Sequence, residues 1–180
     1  PGGQSNKFPN LANARRCTQL QKWHSTMIQK CDNLVKILFR FYSDVLDEWT
    51  VETIWAEVID KNKGLYKIDS IPFYATVTSD DIVFAEYDEK EKMLTYKETV
   101  EYSGNSLIQV VIMENPDLTN DIRDIFNSMD CKSENFKDGY FVIEILANKD
   151  YKPIKQKLIE LQSKGIIDYA EPVLSDYHQY

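Results

Sequence analysis

Histidine and glycine are scarce in this sequence, and each shortage narrows the chemistry open to the chain. The 180 residues contain two histidines and six glycines. His24 lies near the start and His178 near the end, so a histidine-based nucleophile or general base would have to use one of two poorly anchored positions. The glycine-rich phosphate-binding loops, Gly-x-Ser-x-Gly and His-Glu-x-x-His are absent. We therefore expect a protein that is not an enzyme and has no catalytic residue.

Cysteine is also rare, and its placement excludes two kinds of stabilising site. The three cysteines are Cys17, Cys31 and Cys131, with no Cys-x-x-Cys pair. An odd number at such wide spacing is no disulfide framework, and structural zinc requires four closely spaced Cys or His ligands. The sequence therefore predicts a reducing, cytoplasmic location, with no metal site and no cofactor.

The chain lacks both a long apolar run and an excess of positive charge. No apolar stretch approaches the ~20 residues that a membrane-spanning helix needs. The sequence has 29 acidic against 21 basic residues, for a net charge of −8. A nucleic-acid-binding protein needs a basic face to displace counterions from phosphate, and binding to anionic lipid needs positive charge too. We expect neither a nucleic acid nor a membrane among its partners.

The charge is distributed unevenly along the chain. Residues 1–26 carry four basic side chains and no acid, so the remainder carries −12. This first segment is rich in Gln, Asn, Ser and Thr and has no apolar stretch of the kind that a secretory signal contains. We interpret residues 1–26 as an extension upstream of a natural start at Met27, or as an added segment. The alternative is a helix with Leu20, Trp23 and Met27 along one side.

Residues 27–104 have the pattern of a small β-sheet protein. Short stretches rich in β-branched and aromatic residues alternate with turn residues, which predicts antiparallel strands. The predicted strands cover residues 35–41, 53–59, 65–68, 82–87 and 93–102. Residues 71–74 suit only an edge or the start of a strand, because Pro72 has no N–H to donate. Closely spaced strands of this kind favour an SH3-like barrel.

Residues 105–180 show a different order, in which strands alternate with helices. Residues 106–113 are an apolar strand, and Asn115 and Pro116 then provide the cap and first turn of a helix. Further strands are predicted at residues 140–146 and 166–170, with a helix between them that Asp150 caps and Gly165 ends. This order predicts a ferredoxin-like α/β sandwich, so the whole chain is expected to be α+β.

Ten residues are candidates for contacting a protein partner, and most are acidic. They are the acidic connection Asp44, Asp47 and Glu48, the acids Asp80 and Asp81 before a strand, the loop residues Asp88 and Glu89, the aromatic Tyr74, and the turn residues Ser103 and Asn105. Acidic groups speed encounter with a basic protein, and aromatic groups anchor the resulting interface. The acids could instead form a catalytic pair, or simply face solvent. The turn at residues 103–106 is either an amide nest for an anion or a simple turn with a left-handed glycine.

Several short strings resemble one family of small, stand-alone bacterial proteins, the domain of unknown function numbered forty-two sixty-five. The most specific are Trp55-Ala56-Glu57, Ile71-Pro72-Phe73 and Ser103-Gly104-Asn105-Ser106. The similarity extends over residues 35–175 and leaves out the first 26. The resemblance implies a shared fold and provides no catalytic residue to carry over.

Two functions from different classes remain open. The first is a non-catalytic binding protein, of the immunity or antitoxin kind, that neutralises a basic, nuclease-like toxin by direct contact. The second is a small-molecule-binding or regulatory module, and an enzyme based on carboxylates is a third and weaker hypothesis. We expect a monomer or a homodimer in either case, since an edge strand can pair with a second copy.

Overall fold

Strands dominate the first half of the molecule and close into a barrel. The structure is a computed structural model that describes residues 33–43 and 48–179. The barrel strands are β1 (Leu34–Ser43), β2 (Glu48–Asp60), β3 (Leu65–Ile68), β4 (Ile82–Asp88) and β5 (Met93–Glu101). Successive strands pair antiparallel, and a short parallel pairing between β1 and β5 closes the ring. Each of these five strands therefore pairs on both of its edges.

The barrel interior follows from the two-residue period of its strands. Ile37 and Phe39 of β1 and Ile54 and Ala56 of β2 are buried, together with Val83 of β4. Because alternate side chains of a strand point to opposite faces, the residues between these face outward. Trp49, Val51 and Trp55 are exposed residues on the outward face of β2.

The second half is a four-stranded antiparallel sheet with two helices. Its elements are β6 (Ser106–Ile112), α1 (Thr119–Asn127), β7 (Lys132–Lys137), β8 (Tyr140–Ile145), α2 (Tyr151–Ser163) and β9 (Ile167–Val173). The strand order across the sheet is β7-β8-β6-β9. Phe141 and Ile143 of β8 pack in one core with Phe126 of α1 and Leu158 of α2. The chain is therefore an α+β protein, as its sequence predicts.

Local capping residues act as their types predict. Asn115 accepts a hydrogen bond from the amide of Asp117 and begins a short 3-10 turn, Pro116–Leu118, that runs into α1. Asp150 accepts from the amide of Lys152 and caps α2. Gly165 follows α2 with a φ of 69°, a left-handed conformation that suits glycine.

Two sequence predictions need correction. Residues 71–74 are not a strand: they belong to a long loop, residues 69–81, in which the amides of Phe73 and Tyr74 bond to the Glu52 side chain instead of to a neighbouring strand. Strand β7 was not predicted, because its six residues are mostly exposed and have no alternating apolar pattern. It lies at the edge of the sheet, where β8 is its one strand partner.

Candidate functional site

The loop at residues 69–81 connects β3 to β4 of the barrel and also contacts the sheet. Three carboxylates accept hydrogen bonds from its main-chain amides. Glu52 comes from the barrel, Glu144 comes from the sheet, and Asp81 ends the loop itself. Each accepts hydrogen bonds from main-chain amides that have no strand partner, as the following contacts show. Buried amides require such partners, so these acids determine the path of the loop.

Glu52 binds three consecutive amides at the centre of the loop. Its Oε1 accepts from the amide of Phe73 at 2.7 Å, and its Oε2 accepts from Tyr74 at 3.0 Å and Ala75 at 2.9 Å. Three successive N–H groups that converge on one carboxylate form an anion-binding nest. The anion in this nest is a side chain of the protein, so the contact positions the loop.

Glu144 is a carboxylate with no exposed surface. Its oxygens accept from the amide of Ser79 at 2.6 Å and from the hydroxyl of the same residue. Lys132 Nζ lies 3.8 Å away, on a side chain that is half exposed. Burial raises the pKa of Glu144 above its ordinary value, although the Ser79 hydrogen bonds act in the opposite direction.

Asp81 and Asn105 tie the loop to the turn at residues 103–106. Asp81 accepts from the amides of Thr78 at 2.8 Å and Ser103 at 2.7 Å. Asn105 donates to the carbonyl of Ser79 at 2.9 Å and accepts from the amide of Ala147 at 3.0 Å. The turn does bind a carboxylate through an amide, but that carboxylate is the protein's own.

These contacts change the role of two predicted partner-binding residues. Asp81 is 1% exposed and Asn105 is 6% exposed. Both side chains are buried and form their hydrogen bonds with main-chain groups of the protein itself. Ser103 is half-buried, and its hydroxyl pairs with that of Thr78 at 2.9 Å. Asp81 and Asn105 therefore hold the fold together and do not present themselves to a partner.

The loop also places aromatic rings at the border between barrel and sheet. We call Phe41, Phe73, Tyr74, Phe136 and Tyr140 the junction cluster. Neighbouring rings in it lie 5.0–6.1 Å apart, centre to centre. The Tyr140 hydroxyl donates to the carbonyl of Phe73 at 2.6 Å, while Tyr74 is 41% exposed and Phe136 is 49% exposed. Burial, and then the Glu52 carboxylate, raise the pKa of Tyr74.

A second aromatic surface lies on the outer face of the barrel. We call Tyr42, Trp49, Val51 and Trp55 the hairpin stripe, since they lie on the paired strands β1 and β2. Trp49 is 68% exposed and contacts Tyr42 edge to face at 5.9 Å. The stripe follows from the period of β2, where Ile54 and Ala56 fill the barrel and the residues between them point outward.

Both cations of β1 on this face already have contacts. Lys36 Nζ lies 4.9 Å above the Trp55 ring. Arg40 forms an ion pair with Glu91. The large apolar groups of the stripe therefore remain its main exposed feature.

The predicted acidic candidates occupy different environments. Glu48 is exposed at the first position of β2, beside Trp49, and Glu89 is exposed in the loop after β4. Asp80 is exposed, with Lys67 at 3.7 Å. Asp88 accepts from the amides of two following residues, and these bonds lower its pKa.

The other two acidic candidates, Asp44 and Asp47, lie outside the described residues. In the sequence they fall between Tyr42 and Glu48. They therefore belong to the connection that joins the two strands of the hairpin stripe.

The part of the chain that the structure describes contains neither a metal-binding cluster nor a reactive thiol. Within residues 33–43 and 48–179, no cluster of three or more His, Cys, Asp or Glu side chains could hold a metal ion. Burial raises the pKa of the Cys131 thiol to about 11, which keeps it protonated and unreactive near neutral pH. In the same part of the chain, none of the helices is long and apolar enough to cross a bilayer.

Comparison with known proteins gives a fold and a family. The chain resembles the crystal structure of a hypothetical protein from Neisseria gonorrhoeae with a TM-score of 0.68 and 22% identity. That match covers 78% of this chain and 94% of the other. No curated protein matches the sequence.

A family model also matches, and it covers most of the described region. The model is the domain of unknown function DUF4265, and it matches residues 52–169. The matched span contains Glu52, the loop at residues 69–81 and Glu144, which together join the barrel to the sheet. It also confirms the resemblance found in the sequence strings. The chain belongs to the DUF4265 family.

Proposed function

We propose that this protein is a non-catalytic binding protein that neutralises a basic protein partner by direct contact, as immunity and antitoxin proteins do. The observation that carries the proposal is the hairpin stripe. Exposed Tyr and Trp side chains in one line are the usual anchors of protein interfaces. A single exposed aromatic residue would carry no such weight, but Trp49, Val51 and Trp55 share one face of one strand.

Charge beside the stripe supports a basic partner. Glu48 is exposed at the start of the same strand as Trp49, on the opposite face, and the sequence between the two strands adds Asp44 and Asp47. The chain after residue 26 carries −12, which attracts a basic protein over long range. Aromatic anchors with acidic neighbours thus combine fast encounter with a desolvated contact. A cytoplasmic location and a monomeric or homodimeric state remain parts of the same proposal.

The architecture is also assigned to known fold types as part of this proposal. The closed five-stranded barrel supports the SH3-like assignment. The order β6, α1, β7, β8, α2, β9 with the sheet order β7-β8-β6-β9 supports the ferredoxin-like assignment. The domain boundary at residue 104 stays a prediction.

A small-molecule-binding or regulatory module is the second candidate, and the junction cluster favours it. Tyr74 and Phe136 are partly exposed, and the Glu52 carboxylate lies close enough to affect Tyr74. A flat aromatic or cationic ligand could bind such a surface. The carboxylate-enzyme hypothesis is weaker, because Asp81 and Glu144 already accept hydrogen bonds from the loop.

Trp49→Ala should abolish capture of the partner without unfolding the protein. The ring is 68% exposed, so its loss costs little stability, whereas removal of an interface anchor weakens binding by about 2 kcal/mol or more. The measurement is affinity capture on the full chain from a lysate of its native source, with mass spectrometry of the retained proteins. We expect one basic protein, held by the wild type at low salt and released at high salt.

Tyr102→Ala is the matched control, because Tyr102 is 74% exposed and lies outside the hairpin stripe. The control should retain the same protein as the wild type does. Equal retention by the wild type, Trp49→Ala and Tyr102→Ala would contradict the proposal. Co-purification of a small molecule that is lost only when Tyr74 is changed to Ala would favour the second candidate.

A further inference from the structure

The C-terminal residues 174–179 cross the turn at residues 103–106, and a buried histidine holds them there. His178 is 1% exposed, although the sequence suggests a poorly anchored position for it. Its Nδ1 lies 2.7 Å from the hydroxyl oxygen of Ser106, a side chain with no exposed surface. The same oxygen accepts from the amide of Ser175 at 2.9 Å. Ser106 therefore binds the C-terminal segment at two points.

Close packing on Gly104 adds a third point of attachment. Gly104 has a φ of 81°, and a Cβ atom there would approach the Tyr177 ring to 2.8 Å. The ring thus lies directly against the glycine backbone, where no larger residue fits without displacing it. We call residues 174–179 the C-terminal strap.

The two ring nitrogens of the histidine have different surroundings. Nε2 of His178 is buried and forms no hydrogen bond of ordinary geometry within residues 33–43 and 48–179, although the carbonyl groups of Leu146 and Lys149 act on the ring. The Ser106 hydroxyl accepts from Ser175 and can therefore donate its own proton to Nδ1 of a neutral ring. Burial of the ring opposes a positive charge there and lowers the pKa of His178.

Within residues 33–43 and 48–179, no carboxylate forms a hydrogen bond or ion pair with the ring. On α2, Tyr151 packs against it at 5.8 Å, and the Tyr151 hydroxyl donates to Glu171 of β9. Glu171 also pairs with Lys155 of α2 at 2.7 Å. Its charge is thus shared between two other partners.

The charged groups in the connection before α2 and in the strap are also paired with groups other than the ring. The carbonyl groups of Leu146 and Lys149 favour a positive ring, but burial outweighs them. The Lys149 ammonium group pairs with Asp130 at 2.9 Å. Within the strap, Asp176 accepts from the side chain of Gln179 at 2.9 Å.

We propose that the C-terminal strap is a pH-sensitive latch, closed at neutral pH and opened by protonation of His178. When the strap is open, the ring is hydrated and takes up a proton near pH 6.5, the ordinary value for histidine. The closed form holds the ring neutral to a lower pH. Below pH 6.5 the ratio of closed to open strap therefore falls, by at most about tenfold for each pH unit, until the pH reaches the lowered pKa of the closed form. Opening uncovers the Ser106 hydroxyl and the Gly104 backbone.

Hydrogen exchange on the full chain, measured by NMR from pH 7.5 to 5.0 and corrected for intrinsic rates, tests the latch. The reporter is the amide of His178, which donates to the Ser175 carbonyl at 2.9 Å. The amide of Ile68, bonded to the Asp81 carbonyl at 2.9 Å, reports on the barrel. We expect protection of the His178 amide to fall below pH 6.5, by at most about tenfold per pH unit, while protection of the Ile68 amide stays constant.

His178→Asn is the deciding variant, because its side-chain oxygen can still accept from Ser106 but cannot take up a proton. In this variant the protection at residue 178 should not change over the same pH range. Wild-type protection that stays constant down to pH 5.0 would overturn the proposal. A decrease of the same size in His178→Asn, or a parallel decrease at Ile68, would overturn it as well, since the cause would then be another group or global unfolding.

Discussion

Glu144→Ala should lower the free energy of unfolding by about 3 kcal/mol at pH 7. The carboxylate has no exposed surface and accepts from both the amide and the hydroxyl of Ser79. Alanine leaves these two buried donors without a partner, at about 1–3 kcal/mol for each unsatisfied group. The loop at residues 69–81 then loses one of its attachments to β8, while the hydrogen bond from the Tyr140 hydroxyl to the Phe73 carbonyl remains. Urea denaturation followed by tryptophan fluorescence measures the change.

Glu144→Gln is the control that separates shape from charge. Glutamine can accept from the Ser79 amide and donate to its hydroxyl, so the network survives in a neutral form. Burial raises the pKa of Glu144, so the native state resists the ionisation that the unfolded chain undergoes near its ordinary value of 4.5. The stabilising contribution of the protonated group is therefore complete below pH 4.5 and is lost as the pH rises through the native pKa.

The wild type should thus lose stability relative to Glu144→Gln as the pH rises above 4.5, and the two should converge below it. A difference that grows on acidification would show that the native pKa is lowered, which contradicts the burial argument. If Glu144→Ala is as stable as the wild type, the loop does not depend on this contact.

Two adjacent acids should respond very differently to the same substitution. Asp81→Asn should cost about 2 kcal/mol, because its two oxygens accept from the amides of Thr78 and Ser103 and an asparagine NH₂ would face one of those donors. Asp80→Asn should change stability by about 0.5 kcal/mol or less. Asp80 is exposed, its ion pair with Lys67 is long, and asparagine tolerates its φ of 68°.

The difference between Asp80→Asn and Asp81→Asn also determines which variant is suitable for testing partner binding. A double substitution of Asp80 and Asp81 would mix loss of an exposed charge with partial unfolding, whereas Asp80→Asn alone tests the charge. Thermal unfolding monitored by circular dichroism on both single variants is sufficient. Equal melting temperatures for the two would mean that the Asp81 contacts contribute nothing to stability.

The sequence predicted most strands and helices of this fold better than it predicted the contacts between them. The period of β2, the capping residues Asn115 and Asp150 and the apolar run of β6 are local signals, so each could be read from a few neighbouring residues. Strand β7 has no such signal, since its pairing with β8 places it and its side chains are mostly exposed. The loop at residues 69–81 was missed in part because its partners lie 21 and 65 positions away, in Glu52 and Glu144.

The features of the candidate binding surfaces also differ in whether they depend on local sequence or on contacts between distant residues. Alternation along β2 places Trp49 and Trp55 on one face, but the sequence predicts this strand only from residue 53, so the position of Trp49 comes from the structure. Whether an acid contacts solvent or supports the interior is a different kind of question. Asp80 and Asp81 look alike in the sequence, yet one is exposed and the other is buried.

By itself, the sequence determined the α+β class, the strand and helix patterns and the family, because these depend on local periodicity, capping chemistry and short strings of residues. Only the tertiary structure decided which carboxylates are buried, which aromatic side chains meet at the junction, and that His178 closes a strap over Ser106. Those properties arise from residues far apart in the chain, and burial changes the pKa and the partners of a side chain without any change in its identity.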